Sequence, residues 1–177
     1  MGVVSLYSNI PHKDGLEALR RFLNSGQYNT PLHPDLVIKL AEFILTHNYF
    51  LFKDEFFLQV KGTAMGTRMV PQYANLFMAD LENTVLEKSD EKPELYGPFI
   101  DDICTLWVHG IDELTRFAEE FTRQNPSIRL TVEYSRNDRN FLDTKLSIRN
   151  GKIETSVYKK PTDRFTLLHP NSFHPPL

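Results

Sequence analysis

With 177 residues, a net charge of −3, 41% hydrophobic and 24% charged residues, the chain has the composition of an ordinary globular domain with room for a substantial core, which excludes fibrous, disordered and strongly basic classes. A single cysteine, Cys104, excludes an internal disulfide and a multi-cysteine zinc site. No apolar run approaches the roughly 18 residues of a membrane span, and Met1 to Val4 is too short and too soon polar for a secretory signal, so no membrane partner and an intracellular location are expected.

Val3, Val4, Leu6 and Tyr7 read as an opening strand over 3–7, because β-branched and aromatic side chains suit a half-buried pleated surface. Asn9-Ile10-Pro11-His12 then reads as a turn. Leu16, Leu19, Phe22 and Leu23 recur at helical spacing up to Gly26, and a second helix runs from about 34 to 48 with Leu36, Val37, Leu40, Phe43 and Ile44 as its apolar residues. Residues 49–52 and 56–60 read as the arms of a hairpin turning at Lys53-Asp54-Glu55. Gln59 and Lys61 stand on and just beyond the second arm, as exposed strand residues would.

A glycine-punctuated segment, Gly62-Thr63-Ala64-Met65-Gly66-Thr67-Arg68-Met69-Val70-Pro71, leads into a helix over 72–88. Glycines there admit close approach of a ligand to the backbone and a helix start favours an anion; a tight connection into a core helix is the plainer alternative. Residues 89–98, with Pro93, Gly97 and Pro98, are too short to separate domains. Next stands Phe99-Ile100-Asp101-Asp102-Ile103, two carboxylates between apolar strand formers. Asp-Asp at a hairpin tip is either a solvated turn or an oxygen-rich site of the kind that suits Mg²⁺.

A helix over 111–124 places Leu114, Phe117, Ala118 and Phe121 on one face, and strands follow over 128–134, 140–149 and 152–159. The last two turn at Asn150-Gly151, a strong two-residue hairpin signal. Residues 136–177 carry eight Lys and Arg against four acids, so this end is the basic one, suited to a phosphate backbone or simply to solvent. Residues 161–177, rich in Pro and His, read as an irregular tail. Helices and strands mix without strict alternation, which predicts one α+β domain over 1–177 with an antiparallel sheet backed by helices.

Several of these stretches together resemble a known family. Val3-Val4-Ser5-Leu6-Tyr7-Ser8-Asn9-Ile10-Pro11-His12, the segment from Met65 to Pro71 with Ala74-Asn75-Leu76-Phe77-Met78, Phe99-Ile100-Asp101-Asp102, Asn140-Phe141-Leu142-Asp143 and Tyr158-Lys159-Lys160-Pro161-Thr162-Asp163 stand in the order and spacing of a reverse transcriptase palm. The flavour is that of Penelope-like retroelements, whose polymerase is similar to telomerase reverse transcriptase. The resemblance implies a polymerase palm, an antiparallel sheet with helices on one face, and RNA-directed DNA synthesis with Mg²⁺ on an RNA template and a DNA primer from deoxynucleoside triphosphates. Nuclear residence follows if the chain serves an active retroelement.

Position by position, the resemblance makes Asp101 and Asp102 the metal carboxylates and Tyr7 the aromatic gate beneath the incoming sugar. Gly62, Met65 and Gly66 fall near nucleotide and template, with Met65 where many reverse transcriptases have Gln. Gln59, Lys61, Lys159, Lys160 and Arg164 are the candidate contacts to substrate and nucleic acid. One position departs from the pattern: the first-strand Asp, five residues before the gate tyrosine, is here Gly2. In a two-metal mechanism that carboxylate helps hold both ions, so weakened metal binding is expected, and the fingers and endonuclease domains of the family are not expected in this chain. Two functions follow from this, a polymerase inactive as an isolated chain or a non-catalytic palm that binds nucleic acid or a protein partner.

Overall fold

The computed structural model describes residues 1–26 and 31–162. These cluster into two compact units, one from Met1 to Glu133 and one beginning at Tyr134.

In the first unit the elements run β1 (Gly2–Val3), α1 (Leu6–Asn9), α2 (His12–Asn24), α3 (Pro34–Thr46), β2 (Tyr49–Phe52), β3 (Glu55–Leu58), α4 (Val70–Lys88), β4 (Leu95–Phe99), β5 (Asp102–Leu106), α5 (Ile111–Gln124) and β6 (Leu130–Thr131). Four strands form an antiparallel sheet in the order β4-β5-β1-β6. Its inner face gives Val3 and Ile103 to a core built mainly from α4 (Tyr73, Phe77, Met78, Leu81, Val85) and α5 (Phe117, Phe121), with Leu6, Ile10, Leu45 and Ile128 joining it. Successive strand residues point to opposite faces, so Val3 and Ile103 turn toward the helices and their neighbours Gly2 and Asp102 turn away. The fold is α+β, an antiparallel sheet backed by helices, as the element order predicts.

The opening strand is shorter than its β-forming residues predict. Ser5 takes a left-handed conformation, φ 50°, and the chain closes into the single helical turn of α1. Two local bonds hold this turn: Asn9 Nδ2 donates to the Val4 carbonyl at 3.1 Å, and Ser8 Oγ donates to the Ser5 carbonyl at 3.0 Å. Leu6 is thereby buried and Tyr7 sits on a helical turn. The expected strand over 128–134 likewise contracts to Leu130–Thr131, the two residues that find partners in Val3 and Gly2.

Two helices start earlier than their apolar spacing indicates. α2 begins directly after Pro11, whose ring suits the N-terminal boundary, and α4 begins at Val70 with Pro71 in its first turn. Below the sheet lies Glu82 of α4, 5% exposed. Burial pushes its carboxyl up to about 7 and the Tyr96 hydroxyl of β4 only partly offsets this; Tyr96 faces it outside good hydrogen-bond geometry, leaving Glu82 Oε1 and Tyr96 Oη without partners among the described residues.

The second unit is a three-stranded antiparallel meander of β7 (Asp138–Phe141), β8 (Thr144–Arg149) and β9 (Lys152–Val157). The expected strand over 140–149 is divided here, because Leu142, at φ 53°, and Asp143 form a turn. The Asn150-Gly151 turn has φ 50° and 71°, the left-handed pair that such a two-residue hairpin requires.

Candidate functional site

The aspartate hairpin forms one residue out of step with the expected Asp-Asp tip. Its two-residue turn is Ile100-Asp101, with Ile100 at φ 54°, and Asp102 is the first residue of β5, paired with Phe99. Asp101 therefore projects from the turn, its carbonyl accepting a 2.7 Å bond from Val3 N, while Asp102 lies on the sheet's open face. Both are exposed.

Cross-strand pairing extends Asp102 into a row across the whole sheet. Phe99 pairs with Asp102, Asp102 with Gly2, and Gly2 with Thr131, so the four share the face turned away from the helices. A Cβ placed on Gly2 would lie 3.4 Å from Asp102 Oδ1 and 3.4 Å from Thr131 Oγ1. Thr131 Oγ1 donates to the Gly2 carbonyl at 3.1 Å. Position 2 is thus the point from which one further side chain would join the Asp102 carboxylate.

The β1–α1 segment also ties this row to the glycine-punctuated loop. The Tyr7 carbonyl accepts from Thr63 N at 2.6 Å and from Thr63 Oγ1 at 3.0 Å. Gly62, at φ +71°, approaches so closely that a Cβ there would lie 2.6 Å from Ser8 backbone atoms, and His12 Nε2 donates to its carbonyl at 2.7 Å. The close approach made by Gly62 is therefore to the polypeptide itself. The Tyr7 ring is half-buried and packs against the core. Met65 is 83% exposed. Gly66 has φ +99° and open space beside it, so backbone freedom is what this position uses.

Gln59 braces the base of the β2–β3 hairpin, accepting from Asn48 Nδ2 at 2.7 Å and donating through Nε2 to the Lys61 carbonyl at 3.0 Å. Lys61 is exposed. Lys159 and Lys160 are exposed residues of the second unit, and Arg164 lies outside the described residues. Thr131 is the member of the row that no motif contains, and Phe99 stands in the aspartate motif without a site role. Alternation along β4 and β6 would have found them only with the turn placed at Ile100-Asp101.

The donor set does not fit a pair of Mg²⁺ ions. Such ions take several oxygens each and share bridging carboxylates, whereas the open face offers Asp102 beside a glycine and a threonine hydroxyl. Among the described residues no three His, Cys, Asp or Glu side chains converge. Nor, among them, is any helix long and apolar enough to cross a membrane.

No protein-family model matches the chain, and no curated protein matches it. Among solved structures it is similar to apo telomerase from Candida tropicalis truncated from its C-terminal domain, with a TM-score of 0.61 at 12% identity over 88% of this chain and 34% of that one. The chain spans about a third of the length of that telomerase chain, and at this identity what the two share is a fold.

Proposed function

We propose that this chain is a reverse-transcriptase-like palm domain of the Penelope-like kind, which holds an RNA template paired with a DNA primer and does not itself transfer nucleotides. The observation that carries the reading is the row Phe99, Asp102, Gly2, Thr131. An adjacent-strand carboxylate at position 2 would complete a metal-binding pair with Asp102, and glycine supplies no oxygen there. The fold shared with telomerase supports the polymerase relationship.

Binding, on this reading, is mainly electrostatic. Lys61 on the first unit and Lys159 and Lys160 on the second supply cations for phosphates, and each neutralised phosphate releases counterions, so affinity falls as salt rises. Nucleotide transfer needs Mg²⁺ and deoxynucleoside triphosphates held by a fuller carboxylate set than this one.

The test pairs a gel-shift titration of an RNA–DNA hybrid with primer extension on the same hybrid. Salt-dependent binding without extension is expected. Robust extension that Asp102→Asn abolishes would falsify the non-catalytic part; failure to bind the hybrid at low salt would remove the nucleic-acid part.

A further inference from the structure

We propose that the outer edge of β3 is a self-association surface, pairing antiparallel with the same edge of a second copy of this chain. Among the described residues β2 and β3 form a two-stranded sheet by themselves, and such an isolated hairpin is marginal in water without a further partner. Its pairs are Tyr49 with Leu58, Phe50 with Phe57, Leu51 with Phe56 and Phe52 with Glu55. The Lys53-Asp54 turn has φ 49° and 63°, a two-residue turn closed by the Phe52–Glu55 pair.

Hydrogen-bonded and non-bonded pairs alternate in an antiparallel ladder. From Phe52–Glu55 the bonded pairs are Phe50–Phe57 and then Asn48–Gln59, and Gln59 N indeed donates to the Asn48 carbonyl at 2.8 Å. Glu55, Phe57 and Gln59 therefore spend their backbone groups inward. Phe56, Leu58 and Val60 direct theirs to the outer edge. Phe56 and Val60 are also 79% and 80% exposed, on the same side of the strand as Leu58. Natural edges of this kind are usually blunted by charge, proline or a bulge, and 56–60 carries none of these.

The flanking charges select the occupant. Residues 55–61 read Glu-Phe-Phe-Leu-Gln-Val-Lys, with a single acid at one end and a single base at the other. Antiparallel pairing centred on Leu58 sets Leu58 against Leu58 of the second copy and Phe56 against its Val60, twice by symmetry. It also sets Glu55 against Lys61 of the second copy, twice. Neither Glu55 nor Lys61 has an ion-pair partner among the described residues. Parallel stacking would instead oppose Glu55 to Glu55, which is unfavourable. The edge is thus self-complementary under a two-fold axis, the requirement for a closed dimer.

The experiment is sedimentation velocity on the full chain over a concentration series, with Glu55→Lys, Lys61→Glu and the double exchange. A concentration-dependent dimer is expected for the unmodified chain. Each single exchange turns two attractive pairs into two repulsive ones and should weaken dimerisation at least about tenfold, while the double exchange restores it. A monomer at every concentration, single variants that still dimerise, or a folded double variant that stays monomeric would each overturn the proposal. That includes the case in which the unmodified chain is monomeric and Lys61→Glu lowers RNA affinity alone, which makes this edge a nucleic-acid contact. Where a charge variant does not fold, Leu58→Cys in a Cys104→Ser background decides. The two Leu58 Cα atoms of a bonded antiparallel pair would be about 5.5 Å apart, within disulfide reach, so a cross-linked dimer is expected and an uncrosslinked monomer overturns the inference.

Discussion

The Tyr73 ring lies directly across Gly15: Tyr73 Oη donates to the His12 carbonyl at 3.1 Å, and a Cβ on Gly15 would stand 2.1 Å from that oxygen. Helix α2 thus carries a glycine in its interior although alanine would favour helix by about 1 kcal/mol. The gap is filled by α4, whose Tyr73 is almost fully buried. Gly15→Ala should therefore destabilise the first unit by about 1–3 kcal/mol, the usual cost of overpacking. Urea unfolding checks the sign, and a stabilised variant would show that the tyrosine moves aside freely.

Gly62 and Gly66 differ in why they are glycine. Both have positive φ, but only Gly62 sits against backbone, at Ser8, while Gly66 borders open space. Gly66→Ala should cost roughly 1 kcal/mol for the left-handed backbone. Gly62→Ala adds a clash with main chain that no rotamer change relieves, and should cost at least about 3 kcal/mol. Chemical denaturation of the pair gives the difference. Equal losses would mean the Ser8 contact yields easily.

Glu82 links stability to pH. Its carboxyl titrates near 7 in the fold against an ordinary 4.5, so the folded chain holds the proton more tightly than the unfolded chain does. Stability from this group is fully present below about pH 4.5, declines as pH rises through 7, and is then lower by up to roughly 3 kcal/mol. Glu82→Gln keeps the shape and cannot ionise. It should be the more stable protein at pH 8 and should lose its advantage toward pH 4.5, with the difference between the two proteins as the measured quantity. A constant difference across that range would mean Glu82 is solvated in the fold.

What the sequence disclosed divides along local and non-local lines. Asn150-Gly151 and the start of α3 at Pro34 were legible because a few adjacent residues decide them. Asp101-Asp102 was legible as a hairpin signal but not its register, since the turn at Ile100-Asp101 places a β-branched residue at positive φ against its own preference. Ser5 hid a turn inside a run of strand formers, held by the Asn9 side chain on the Val4 carbonyl and the Ser8 hydroxyl on the Ser5 carbonyl. Glu82 and the Phe99–Thr131 row were illegible for a different reason. Glu82 owes its character to burial by distant elements, and the row joins Asp102 to Gly2 and Thr131 far along the chain; for Phe99 it was the local turn register that stayed hidden.

Gly2→Asp tests the open face of the sheet directly. A side chain starting 3.4 Å from Asp102 Oδ1 brings two carboxylates together, and like charges in one site resist joint ionisation. In chelator at neutral pH the variant should therefore melt below the unmodified chain. Mg²⁺ or Mn²⁺ relieves the repulsion and binds the folded form selectively, so its melting temperature should climb with metal concentration as mass action requires. The unmodified chain, with glycine at this position, should not respond, and Gly2→Asn should not either, because it places an amide where the charge must be. Thermal melts of the three proteins across a metal titration, with Asp102→Asn added to the responding variant as a control, decide the matter. An equal response in the unmodified chain would mean that Asp101 and Asp102 hold the ion without help from β1.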